Sequence, residues 1–403
     1  MFRKTMSGFL VLLTSLLLIA FPSVQAWGAG LTIEFEKEQG GKEVDRGIRA
    51  IHTADGGYLV LAETMSSYLQ GHGKNDALLI KFDDKGLVKW QKTYGGGDDD
   101  RVFSVKQTKD GGFIMTGVSQ SFTWDLDKNL YLVKTDNLGQ QKWYKIYGGK
   151  GDDSGRWAEE TSDGGFIVVG ETNSSGAGDK DIYLIKTNDQ GKLQWEQTLG
   201  GKKYESGVQV FETKDGGYIL AGQTNSTKTG DFDIYLAKVD PKGKKQWDKT
   251  LGGSGLDSVN YLQQTSDGGY ILAGETSSFN TTGSDAYLLK TDQLGNLQWE
   301  KTFPGNGWAV AKSVQQDQEG SFLLAGWTTA KDGKGFDLYL VKTDQTGNKL
   351  WDKTLAGSKF DQSFSIQQNN NSILITGWFT EKLKWTKNHN NDVQIYFMKL
   401  NLE

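Results

Sequence analysis

The chain has 403 residues, no cysteine, and 50 acidic against 45 basic side chains, for a net charge of −5. The lack of cysteine excludes a disulfide framework, thiol chemistry and a cysteine-linked lipid anchor. The mildly acidic balance argues against nucleic acid as a partner, because phosphate recognition needs a basic surface.

Residues 1–26 read as an export signal. Arg3 and Lys4 form a basic start, Gly8 to Phe21 is almost wholly apolar, and Val24-Gln25-Ala26 offers small residues for cleavage. The apolar run is short for a membrane span and no second one follows. The mature chain is therefore expected to begin near Trp27, to be secreted or periplasmic, to lack a membrane span and to be monomeric. The next stretch, 31–47, aligns with the sequence around Trp90, with Phe35 in the tryptophan's place.

From there one unit repeats seven times. Its clearest copies are DGGYILAGQT (215–224) and DGGYILAGET (267–276), with related copies starting at Asp55, Asp110, Asp163, Glu319 and Asn370. Successive starts lie 51 to 55 residues apart, a propeller-blade period. The third unit divides into four strands: a at 157–161, b at 166–172, c at 181–187 and d at 192–199. Val, Ile, Tyr, Phe and Thr dominate these stretches and only three prolines occur in the whole chain. No stretch after the signal has sustained helical periodicity. The expected fold is all-β, a seven-bladed β-propeller of four-stranded blades in one domain, 27–403.

Recurrent positions have geometric roles. The Gly-Gly after Asp suits a tight turn with positive φ. A small residue seven positions after that Asp (Ala62, Gly117, Gly170, Gly222, Gly274, Gly326, Gly377) suggests close packing of neighbouring blades. Trp90, Trp143, Trp195, Trp247, Trp299 and Trp351 form a docking column, each burying about 2–3 kcal/mol of apolar surface. Lys81, Lys134, Lys186, Lys238, Lys290, Lys342 and Lys399 recur in all seven units and read as architectural. Six tryptophan-bearing d strands serve seven a–b–c units, so residues 31–39 are expected to close the ring by pairing with 394–399.

The segment YLLKTDQLGNLQWEKTF (287–303) resembles the tryptophan-docking repeats of quinoprotein-like propellers, keeping the Gly295-to-Trp299 spacing with a turn one residue shorter. The mature chain also resembles exported bacterial and archaeal repeat proteins with DGGYILAG and YLIKTD signatures, which implies the propeller fold and export. Quinone-binding members of the wider family use vicinal cysteines and metal-binding carboxylates; this chain has no cysteine, and no quinone or other organic cofactor is expected.

The a–b and c–d turns are short and uniform and share one face. The b–c and d–a loops share the other and vary in length and content, as on a scaffold with one working surface. Three groups on that loop face are candidates. Acidic residues ten positions before the Asp-Gly-Gly start (Asp45, Asp100, Asp153, Glu205, Asp257) either tie their own loops through backbone N–H groups or hold Ca²⁺, with Asp98, Asp99, Asp100, Asp152 and Asp153 as the candidate metal ligands. Aromatic residues Tyr68, Phe122, Trp124, Trp308 and Trp385 either stack on sugars and anchor partners or plug their own loops. Arg46, Arg101 and Arg156 either meet an anion or pair with neighbouring aspartates. His72 and His389 stand in variable loops of the first and seventh units, with no catalytic motif around them.

The expected function is that of a non-catalytic binding propeller, taking cell-surface polysaccharide or an envelope protein on its loop face. The alternatives are a scaffold within an envelope assembly and a carboxylate-based, Ca²⁺-dependent hydrolase or lyase acting on carbohydrate.

Overall fold

The computed structural model describes residues 31–39, 44–65, 74–123, 127–279, 283–333, 335–355, 362–369, 372–380 and 393–402. Among them are twenty-eight strands and no helix, and hence no helix long and apolar enough to cross a membrane. The strands form seven antiparallel four-stranded sheets, an all-β seven-bladed propeller. In blade three, strands a (Asp153–Glu160), b (Phe166–Thr172), c (Asp181–Thr187) and d (Leu193–Leu199) lie side by side in that order. Strands b and c match the expected bounds. Strand a starts four residues earlier than expected, so the acidic column forms its first residue rather than part of the loop before it.

The a strands of blades one to seven are Asp45–His52, Asp100–Gln107, Asp153–Glu160, Glu205–Glu212, Asp257–Gln264, Ala309–Gln316 and Gln362–Asn369. Each contacts the a strands on either side, closing a ring around a central channel. Blade seven takes its outer strand from the other end of the chain. Leu31–Gln39 pairs antiparallel with Val393–Leu402, from Leu31 opposite Leu402 to Gln39 opposite Ile395. The expected closure is present.

Seven buried apolar clusters, one at each blade junction, hold the ring together. The tryptophan column completes these junctions from outside. Trp90, Trp143, Trp195, Trp247 and Trp299 each lie against the c–d-turn glycine of the next blade (Gly139, Gly191, Gly243, Gly295 and Gly347). Those glycines have φ between 71° and 81°, and a Cβ there would fall 2.5–2.9 Å from an indole atom. Both constraints demand glycine. Phe35 takes the equivalent place beside Gly86, with its ring 5.3 Å from Tyr58 and 5.4 Å from Phe397.

The small residues of strand b act differently from expectation. A Cβ on Gly170 would lie 1.8 Å from the Ser154 carbonyl oxygen, and one on Gly274 would lie 1.7 Å from that of Ser258. The gap admits the a strand of the same blade, where a bulge breaks the register between Gly155 and Trp157 and between Val259 and Tyr261. It is the a-strand glycines, Gly155 and Gly207, that let neighbouring blades approach, facing Thr116 and Val169.

Candidate functional site

The turn face is built from paired charges. In blade three the Asp163 carboxylate takes hydrogen bonds from the Thr161 hydroxyl at 2.5 Å, the Gly165 N–H at 3.0 Å and the Lys186 ammonium at 2.9 Å. Lys186 is 3 % exposed at its side chain and Asp163 53 %, so the cation is buried and the anion faces water. Burial opposes ionisation of Asp163, but the Thr161, Lys186 and Gly165 donors together bring it down to about 2. The same pair recurs as Lys81–Asp55, Lys134–Asp110, Lys238–Asp215 and Lys290–Asp267. In blade six Lys342 pairs with Asp317 rather than Glu319, so the anchor sits two residues before the motif start. In blade seven Lys399 meets Glu34 of the closing strand at 2.6 Å. The lysine column is architectural. The same face carries a groove of about 900 Å³ between blades four and five, lined by Asp215, Lys238, Trp247 and Asp267 that the framework already uses.

On the loop face, Asp45, Asp100, Asp153, Glu205 and Asp257 are 0–1 % exposed. Asp100 Oδ2 accepts from the Gly96 N–H at 2.7 Å and the Ser121 hydroxyl at 2.5 Å. Asp153 Oδ2 accepts from the Gly149 N–H at 2.9 Å and Ser174 at 2.6 Å, and Glu205 from the Gly201 N–H at 2.7 Å. These carboxylates tie the d–a loop to the neighbouring b–c loop. Asp99 takes the Asn75 amide and, at 3.0 Å, Arg101 Nε. Asp98 lies 3.6 Å from Lys74, and Asp152 accepts weakly from the Lys128 N–H at 3.4 Å. Among the described residues no three His, Asp or Glu side chains converge as a cation site.

Two of the three arginine candidates meet carboxylates: Arg101 that of Asp99, and Arg156 that of Glu171 at 3.6 Å, with its guanidinium 4.7 Å from the Phe103 ring. Glu171 also accepts from Lys180 at 2.8 Å and from the Tyr204 hydroxyl at 2.7 Å. Burial would raise the Glu171 pKa, yet Arg156, Lys180 and Tyr204 hold it down at about 2.

Tyr68, Trp124, Trp385, His72 and His389 lie outside the described residues. Phe122 folds back, stacked 4.5 Å from Tyr144 and 5.7 Å from Tyr131. Trp308 stands out: it is 49 % exposed, and its Nε1 donates to Glu275 Oε2 at 2.6 Å. Its ring sits edge-on to Trp327 at 5.6 Å, and Trp327 lies 4.4 Å from Phe336. The three form an aromatic shelf at the junction of blades five and six. Ser258 and Ser284 also donate to Glu275, at 3.3 and 2.9 Å. The local plan repeats between blades three and four, where Tyr204 meets Glu171. In both, the residue just before strand a crosses the junction to a glutamate near the end of the preceding strand b. Glu275 and Trp327 escape a reading of the sequence. The one available signal is the Glu-Thr ending of strand b in blades one, three and five (Glu63, Glu171, Glu275).

No family model matches the chain. The regulatory protein FlaEY of Caulobacter vibrioides is 27% identical over 160 residues, 34% of this chain and 17% of its own length. A WD repeat-containing protein of Acanthamoeba polyphaga mimivirus is 24% identical over 144 residues, 32% of this chain and 10% of its own length. Each match thus spans less than a fifth of the relative. Among solved structures, a puromycin hydrolase aligns with a TM-score of 0.52 over 83% of this chain and 50% of its own, at 13% identity. That likeness is one of propeller fold alone.

Proposed function

We propose that the protein is an exported, non-catalytic binding propeller that takes a polysaccharide on its loop face. The Trp308–Trp327–Phe336 shelf carries this reading. A half-exposed indole offers a flat apolar surface to the C–H face of a sugar ring. The hydrogen bond to Glu275 and the edge contact with Trp327 hold that indole in place, which lowers the entropy lost on binding. Export, which rests on residues 1–26, places such a face where cell-surface polysaccharide is met. Ca²⁺ is not required in this reading, because Asp100, Asp153 and Glu205 bind their own loops.

The test is a cell-wall and capsular polysaccharide array probed with labelled protein, in Ca²⁺ and in chelator. Specific signal in both conditions is expected. Trp308→Ala should lower affinity by about tenfold or more at an unchanged melting temperature, and Trp308→Phe should retain part of it. A blank array would end the polysaccharide reading and leave an envelope protein as the occupant of the shelf. Signal lost only in chelator would return the acidic residues to a metal role.

A further inference from the structure

The central channel holds cations that the loop face does not use. The fifth residue of the first six a strands forms one level of the channel wall: Arg49, Ser104, Trp157, Gln209, Tyr261 and Ser313. Here large side chains from blades one and three meet, with the Arg49 guanidinium carbon 4.6 Å from the centroid of the Trp157 ring. Lys106 of blade two reaches the same ring, its Nζ 4.8 Å from the centroid. Among the described residues Arg49 and Lys106 form no ion pair, unlike Arg101 and Arg156, which both meet carboxylates. Among the described residues Arg49 Nε is buried and has no acceptor, and the Ser104 and Ser313 hydroxyls at this level likewise have no partner.

The electrostatic surroundings agree with the geometry. Burial lowers the Arg49 pKa to about 10. Glu159 comes near on the turn side, where it accepts from Trp157 Nε1 at 3.3 Å. Lys312 of blade six is held by the Asn260 amide oxygen at 3.2 Å; burial pulls its pKa down, and the charge of Glu275 partly offsets this, which sets it apart from Arg49 and Lys106. A half-buried cation without a neighbouring carboxylate is unfavourable in a folded protein, and a bound anion relieves it.

We propose that the channel is a binding site for an oxyanion, a carboxylate or a phosphate group, with Arg49 as its main charge partner. Arg49 offers the planar fork that such anions fit. Lys106 adds a second charge, and the Trp157 face fixes the guanidinium orientation through cation–π contact. The site uses none of the shelf residues and stands whether or not the loop face binds sugar.

The experiment is isothermal titration calorimetry of the full-length mature protein with inorganic phosphate, acetate and succinate, against matched chloride, paralleled by thermal melts. Saturable binding of at least one anion is expected. Binding of phosphate alone would assign a phosphorylated solute, and binding of carboxylates alone an organic acid. Arg49→Met should weaken it at least tenfold while melting at or above the wild-type temperature without ligand, because it removes an uncompensated charge. Lys106→Met should weaken it less, and it serves as the second test if the Arg49 variant fails to fold. Absence of binding to wild type, or binding unchanged in the variants, would overturn the proposal.

Discussion

Asp233 and Asp257 close on the same face of Gly252 at the junction of blades four and five, and both are buried. Each leaves its Oδ1 without a hydrogen bond. The equivalent Asp181 is better served, because the Ala177 and Gly178 N–H groups donate to it at 2.8 and 3.2 Å. Burial, then the negative charge of Asp257, raise Asp233 from 3.8 to about 6. The sign follows from linkage: the folded state holds this proton more tightly than the unfolded state. Asp233 therefore costs nothing below pH 4 and becomes destabilising as the pH climbs from about 4 to about 6. Asp233→Asn should stabilise the protein by about 1–2 kcal/mol at pH 7.5, after allowance for solvent screening, and by little at pH 4. Denaturant melts at the two pH values measure this, and an equal effect at both would show that Asp233 is not held protonated by its surroundings. At this scale the sequence was partly readable. Trp308 stood apart because it falls outside the tryptophan column, whereas Glu275 looks like any strand residue until the next blade brings Trp308 to it. Arg49 gave no signal at all, since what singles it out is the identity of residues two and four blades away.

Within the blade, strands b and c of blade three were legible to the residue because Gly165, Asn173, Asp181 and Asn188 mark their ends. Strand a was not. Its first half holds a bulge, and alternation of polar and apolar residues fails where two residues oppose one. The same bulge explains why the small residue of strand b has a different neighbour from the one its period suggested. Gly170→Ala would drive a methyl group into the Ser154 carbonyl, which is backbone and cannot swing away. The substitution should cost about 1–3 kcal/mol, read as a lower denaturation midpoint with an unchanged m-value. A neutral result would mean that the a strand can slide at its bulge.

Seven-fold closure was the most legible property of the whole molecule, since six d strands for seven units left one edge to fill. It depends on a pairing between the two ends of the described chain. Removing residues 31–39 would expose the outer edge of blade seven and uncover Phe397 and Tyr58, against which Phe35 packs. That truncation should lose its single cooperative thermal transition; a melting profile matching wild type would refute closure by this strand. The loop face, by contrast, was legible only as the variable side. Its divergent loops follow no period, and what they present depends on contacts across junctions.

The closing strand also has a history in time. It is made before the other strands of the ring, and its partner Val393–Leu402 follows more than 350 residues later. At a synthesis rate of about 5–20 residues per second, it waits unpaired for roughly 20–70 s. A waiting strand is a template for any open edge it meets. The outward face of this one carries Glu34, Glu36 and Glu38, and three successive negative charges on alternate residues repel a second copy of the same strand. The acidic stripe thus disfavours pairing of two unpaired copies of this strand, and in the closed ring Lys399 meets Glu34.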